Sequence, residues 1–220
     1  MLGTRIVAGV TNETFNRQQL GPGGAVKNFE YESIATFDEF DAAAKAALSP
    51  YSGQSLGGTD GGFDINITAT KRQRQVDGAT VRFKGDSVID EWTCEMSTTL
   101  KEFIPGTIQA AFPTAEFTLV GSDITAMRIR TSIEDEDYLD NVALILSTDY
   151  GWLMIVFFNV LGEPDGSINT ENQGEGGIPI KLTGHNNNFD DMGYAPAEIW
   201  MVDRSTNGII RSKVAAGGGD

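Results

Sequence analysis

Residues 63–70 read FDINITAT and residues 92–100 read WTCEMSTTL. In the first, Phe63, Ile65, Ile67 and Ala69 alternate with Asp64, Asn66, Thr68 and Thr70. In the second, Trp92, Cys94, Met96 and Leu100 fall opposite Thr93, Glu95, Ser97 and Thr99. A period of two is the side-chain alternation of a strand, so each segment predicts one apolar and one small, polar face.

The same reading extends outward. Asn141–Ser147 and Trp152–Leu161 flank the turn Thr148–Asp149–Tyr150–Gly151 and read as a buried hairpin. Ile178, Ile180 and Leu182 alternate with Lys181 and Thr183, and Pro196–Val202 reads as a last strand. Two helices interrupt the pattern. Thr36–Phe37–Asp38–Glu39 is a capping box, and Phe37, Phe40, Ala44, Ala47 and Leu48 recur at helical spacing up to Pro50. A shorter helix is expected over Pro105–Phe112, with proline at its first position and Ile108, Ala111 and Phe112 inward. Between them, residues 53–62 hold five glycines and read as a flexible connector.

The chain of 220 residues is long enough for one well-buried domain, expected over 1–212, with a flexible tail at 213–220. Its 26 glycines favour many turns and short strands over long helices. The fold class expected is therefore β-rich α+β. The opening MLGTRIVAGVTNETF lacks the apolar run of a signal peptide. The longest apolar stretch, Trp152–Leu161, is half the ~20 residues of a membrane helix, so a core strand and no membrane partner are expected.

The net charge is −15, and residues 105–203 supply most of it with three basic against sixteen acidic groups. Such a chain repels phosphate backbones, which argues against tight nucleic-acid binding. The bases that do cluster are Lys71, Arg72, Arg74, Arg82 and Lys84, around Val76–Asp77–Gly78–Ala79, where Asp-Gly favours a tight turn. Two readings stand: a solvated hairpin tip, or a protruding arm that meets an acidic surface on another copy.

Sites of chemistry are scarce. Gly85–Asp86–Ser87 resembles the nucleophile block of GDS-type esterases, whose serine works with a histidine and an aspartate three residues before it. Here His185 is the only histidine and position 182 is Leu182, so the serine lacks an oriented base. One cysteine, Cys94, leaves no internal disulfide and no multi-cysteine metal site. The acidic run Glu134–Asp137 with Asp140, and the oxygen-rich His185–Asp191, lack the ligand spacing of a calcium loop and read as turns. No catalytic residue, metal or cofactor is expected.

The block LGGTDGGFDINITATKRQRQVDGATVRFKGDSVIDEWTCEMSTTLKEFIPGTIQAAF (56–112) resembles the core of the major tail tube proteins of long-tailed, siphovirus-like bacteriophages. The resemblance lies in the order of its parts. A Gly-rich stretch (Gly57–Gly62) is followed by an alternating strand, Val76–Asp77–Gly78, a loop with Lys84–Gly85, Leu100–Lys101–Glu102 and a short helix. RIVAGVTNETFNRQQLGPGGAVKNFEYES (5–33) and IPIKLTGHNNNFDDMGYAPAEIW (178–200) are similar to the family's beginning and late strands. The helix at Phe37–Leu48 departs from the pattern as an insertion.

The resemblance implies a tail-tube-type β-sandwich or barrel with a flanking helix. In that family the inner sheets join into a continuous barrel as subunits form hexameric rings, and the rings stack into a tube. It implies a virion structural protein, assembled in the host cytoplasm, with tape-measure, tail terminator and distal tail proteins as partners. Double-stranded DNA would pass through without specific binding. Asp64, Asn66, Thr68, Thr70, Thr93, Glu95, Ser97 and Thr99 are then the candidate lumen wall. Lys71, Arg72, Arg74, Asp77, Gly78, Arg82, Lys84 and Asp86, within 71–91, are the candidate inter-ring arm. The alternative is a β-sandwich module recognising carbohydrate or a cell-surface ligand, with Trp92, Trp152 and Trp200 as its aromatics. Because those tryptophans have apolar neighbours, core packing is the plainer role for them.

Overall fold

The computed structural model describes residues 19–50, 52–74, 81, 84–120, 124–163, 166–170, 176–187, 193–205 and 208–212. Ten strands and two helices run in the order β1 (Gln19–Lys27), α1 (Phe37–Ala47), β2 (Thr59–Gln73), β3 (Ser87–Leu100), α2 (Pro105–Ala111), β4 (Ala115–Val120), β5 (Ile124–Ile129), β6 (Leu139–Thr148), β7 (Gly151–Gly162), β8 (Ile178–Thr183), β9 (Ala197–Asp203) and β10 (Gly208–Ser212). Eight strands share one antiparallel sheet, with the path β1-β6-β7-β8-β3-β2 and β9-β10 branching from β7. β4 and β5 form a separate hairpin.

The branching follows from a corner in β7. Gly151 to Phe157 pair with β9, whereas Leu161 and Gly162 pair with β8. Between them Asn159 takes φ 42°, a conformation that asparagine tolerates better than most residues. The Asn159 side-chain amide donates to the His185 carbonyl (3.1 Å), and the His185 amide donates to the Phe158 carbonyl (2.8 Å). The His185 ring meets Tyr138 edge-on at 5.4 Å. The histidine is thus a structural clamp on the corner.

The corner lets the sheet fold over itself into a β-sandwich-like arrangement. Val142, Leu144 and Leu146 of β6, with Phe157 of β7, pack against Cys94, Met96 and Leu100 of β3 and the three apolar positions of β8. The opposite face of β6 and β7 presents Ala143, Ile145, Met154 and Val156 to Phe37, Phe40, Ala44 and Ala47 of α1. Burial on both sides explains why these two strands read as nearly continuous apolar runs. The polar-faced strands, the central strands and the helix therefore form three layers.

The α1 capping box is present: Thr36 Oγ1 accepts from the Glu39 amide at 3.4 Å, and Glu39 Oε2 accepts from the Thr36 amide at 3.1 Å. Asp41 anchors the next turn, accepting from Trp152 Nε1 at 3.1 Å and pairing with Lys45 at 2.6 Å.

Some expectations need correction. Within 53–62, Leu56 is buried with its amide on the Ala25 carbonyl (2.9 Å), and the Gly58 amide donates to Glu102 Oε1 (2.8 Å). β2 already begins at Thr59, so this stretch is a tied corner rather than a free connector. The strand at Ala197–Asp203 is not the last, because β10 pairs with it along its whole length. The acidic run does form a turn, a single 3₁₀ turn over Asp135–Asp137, but it is also tied by ion pairs. Glu134 and Asp137 both close on the Arg130 guanidinium, with Glu116 of β4 beside it at 3.1 Å. The tail 213–220 lies outside the described residues.

Candidate functional site: a polar sheet face and its ribbon

β2 and β3 pair in the register that brings the candidate wall residues together. Asp64 faces Ser97, Asn66 faces Glu95 and Thr68 faces Thr93, while Thr70 meets Glu91 and Thr99 meets Asp60. On β2 the alternation is complete: Asp64, Asn66, Thr68 and Thr70 are exposed, and Phe63, Ile65, Ile67 and Ala69 are half-buried. On β3, Cys94, Met96 and Leu100 are buried while Thr93, Glu95, Ser97 and Thr99 are half-exposed. Two adjacent strands thus carry one polar surface backed by core.

β8 extends that surface, a fact the sequence pattern did not reach. Ser97 faces Lys181 and Glu95 faces Thr183 across the β3–β8 ladder. Lys181 Nζ lies 2.9 Å from Glu95 Oε1 and 2.5 Å from Glu163 Oε1. These hydrogen bonds, first to Glu163 and then to Glu95, hold the ammonium well above the ordinary lysine range. At the start of β2, Lys101 pairs with Asp60 at 3.1 Å. Asp60, Asp64, Glu91, Glu95 and Glu163 therefore set five carboxylates against two ammonium groups, and the face stays net negative. Lys181 alternates correctly in the sequence, but only a non-local register shows which face it joins.

Beyond Glu95, β3 has no β8 partner and runs on with β2 alone as a two-stranded ribbon. Its end carries the basic cluster. Lys71, Arg72, Arg74 and Lys84 are exposed, Arg72 Nε sits 2.6 Å from Asp90, and the Arg74 amide donates to the Asp86 carbonyl at 2.7 Å. A register shift between Thr70 and Lys71 re-aims the ribbon where its basic end starts. Asp77, Gly78 and Arg82 lie outside the described residues.

The other candidates are placed as follows. Ser87 opens β3 beside Gln73, and its hydroxyl meets Asp86 at 3.1 Å. His185 follows Gly184, whose amide donates to the Cys94 carbonyl, seven positions along β3 from Ser87. At the rise of a strand that separates serine and histidine by roughly 20 Å. Cys94 is fully buried, and burial pushes its thiol up to about 11. Trp200 is buried against Tyr31, Trp152 is tied to Asp41, and Trp92 packs on the core. Among the described residues no group of three His, Cys, Asp or Glu is placed to hold a metal ion, and no helix is long and apolar enough to cross a membrane.

A cavity of about 980 Å³ lies elsewhere, between the segment 28–33, the Asn159 corner and β9. Glu30, Glu32, Asp140 and Glu198 give it acidic walls, and Tyr194 stands half-exposed at its side. Several of its amides are engaged in the fold: Asn141 exchanges hydrogen bonds with the Phe29 backbone, and Asn186 donates to the Tyr194 carbonyl.

No family model matches this chain, and no curated protein matches it either.

Proposed function

We propose that this chain is a structural, non-catalytic subunit that assembles with copies of itself into stacked rings, forming a phage-tail-type tube for DNA. The observation that carries the reading is the net-negative, small-residue face shared by β2, β3 and β8, with the core directly behind it. Brought together around a ring, hexameric by the resemblance, such faces would line a channel. The carboxylates on its wall repel phosphates instead of holding them, so a duplex can slide. Closure into a barrel would also remove the exposed sheet edges. The β2–β3 pairing runs on past β8, and the arm at 71–91 would suit a contact between rings. Tape-measure, terminator and distal tail proteins would be its partners in a virion tail.

Negative-stain electron microscopy of the purified chain across a concentration and salt series tests the proposal. Hollow rings or tubes are the expected result. Particles that stay monomeric throughout the series overturn it.

A second reading, a module for carbohydrate or a cell-surface ligand, is favoured by one observation: the 980 Å³ groove with Tyr194 half-exposed beside the Asn28, Asn186 and Asn187 amides. A glycan screen tests it, and loss of any hit on Tyr194→Ala would locate the site.

A further inference from the structure

The β4–β5 hairpin stands apart from the main sheet. Its register puts Ala115 opposite Ile129 and Phe117 opposite Met127 on one face, with Leu119 next along. Glu116 faces Arg128 on the other. The apolar face is uncovered: Leu119 is 71% exposed, Ile129 56% and Met127 37%. A two-stranded hairpin is marginal alone and gains stability when its apolar face is packed against something. Within the described chain only the Ala115 end is buried, where α2 meets it.

A complementary surface lies across the β8–β3–β2 part of the sheet. α2 packs on β8 and the end of β7, with Gly162 and Gly166 against its last carbonyls, so the hairpin leaves from the β8 side. The opposite edge of that sheet is β2, and no described strand pairs with its outer edge. The strand is fifteen residues long and, apart from where it approaches β1, its open edge is a long template for pairing. Behind it the sandwich gapes in a cavity of about 390 Å³ lined by Phe63, Ile65, Leu144 and Leu146. The polar side of β2 carries the exposed Asp64, and the Glu116 side of the hairpin, which has Val120 52% exposed at its tip, carries the exposed Arg128. Laid along the β2 edge, the hairpin would continue both faces of the sheet, apolar over the cavity and Arg128 beside Asp64.

We infer that the β4–β5 hairpin of one copy docks on the β2 edge of a second copy. The two surfaces differ and lie at different edges of the β8–β3–β2 sheet, so a head-to-tail contact between them can repeat around a ring. This deepens the tube reading and rests on it, because it names the surfaces that join neighbours within a ring.

The test measures self-association of the full chain by sedimentation velocity and electron microscopy. The panel is wild type, Leu119→Asp, Ile129→Asp, Arg128→Glu, Asp64→Lys and the Arg128→Glu/Asp64→Lys swap. Circular dichroism of each variant shows that the subunit is folded; the altered side chains are exposed. Expected are at least tenfold weaker association for either apolar variant, weaker association for each single reversal, and recovery in the swap. If wild type assembles and both apolar variants assemble equally well, the docking inference is overturned while the tube reading stands. Apolar variants that fail without any recovery in the swap would overturn the β2 edge as the receiving surface. A wild-type chain that stays monomeric at every concentration removes both.

Discussion

Lys181 and Glu95 meet diagonally across the β3–β8 ladder, their charged atoms 2.9 Å apart, although neither is the other's direct partner in register. The diagonal lets one ammonium reach Glu163 as well, at 2.5 Å, and draws β7, β8 and β3 together on the polar face. Lys181→Gln leaves two carboxylates facing each other, and a Tm lower by a few degrees is expected. Because the folded state holds the lysine above its ordinary range, the stabilisation is complete below about pH 10.5 and fades as pH rises through the higher folded value. Thermal melts of wild type and variant from pH 6 to 11 should therefore show a gap that narrows only at the alkaline end.

Cys94 supplies a second pH-dependent quantity. Burial raises its thiol from 9.0 to about 11, so the unfolded chain loses its proton first. Its contribution is fully present below pH 9 and is lost as pH rises towards 11, by at most about 3 kcal/mol. Urea unfolding of wild type and Cys94→Ala across pH 8 to 11 should give a steeper alkaline decline for wild type. Equal slopes would remove the thiol as the cause. In native buffer a thiol reagent should label no cysteine, and after unfolding one per chain.

Thr36→Ala removes the side-chain acceptor for the Glu39 amide and should cost about 1 kcal/mol. Denaturant titration measures it. Thr36→Ser keeps the oxygen and should restore most of the loss, which separates capping from a general effect of the site.

A methyl group added at Gly162 would stand 2.2 Å from the Ala110 carbonyl oxygen, so α2 could not keep its place on β7. Overpacking of this kind costs about 1–3 kcal/mol. Gly162→Ala should lower the unfolding free energy obtained from urea titration by that amount. It should also weaken self-association at concentrations where the subunit stays folded, because α2 sets where the β4–β5 hairpin departs. A folded variant that assembles like wild type would detach the hairpin's position from assembly.

Legibility in the sequence followed the range of the interactions involved. The capping box at Thr36 and Glu39, the faces of Phe63–Thr70 and Trp92–Leu100, and the β6–β7 turn are fixed by neighbours a few residues apart; the box and the turn are found in place and the faces alternate as expected, although β2 and β3 begin four and five residues earlier than those segments. β1 was not read as a strand because QLGPGGAVK breaks alternation with glycine and proline; it is held instead by pairing with β6, and Gly21–Gly23 fall in the bulge of that ladder. The β4–β5 hairpin escaped for a related reason, since its apolar stripe leads to no core. Lys181 beside Glu95, and Arg130 within Glu116, Glu134 and Asp137, depend on strands brought together from far apart in the chain. No local period encodes them.

The Asn159 corner has a consequence for how the subunit comes apart. β7 hydrogen-bonds to β6 along one edge, and to β9 and then β8 along the other. Each half of the sandwich borrows the same strand, so neither can melt while the other survives intact. The chain should unfold in one cooperative step, with the amides of Met154 to Val160 exchanging with solvent only through global opening. In the proposed tube, a chain with no seam of its own would yield at the contacts between copies before it yields within itself.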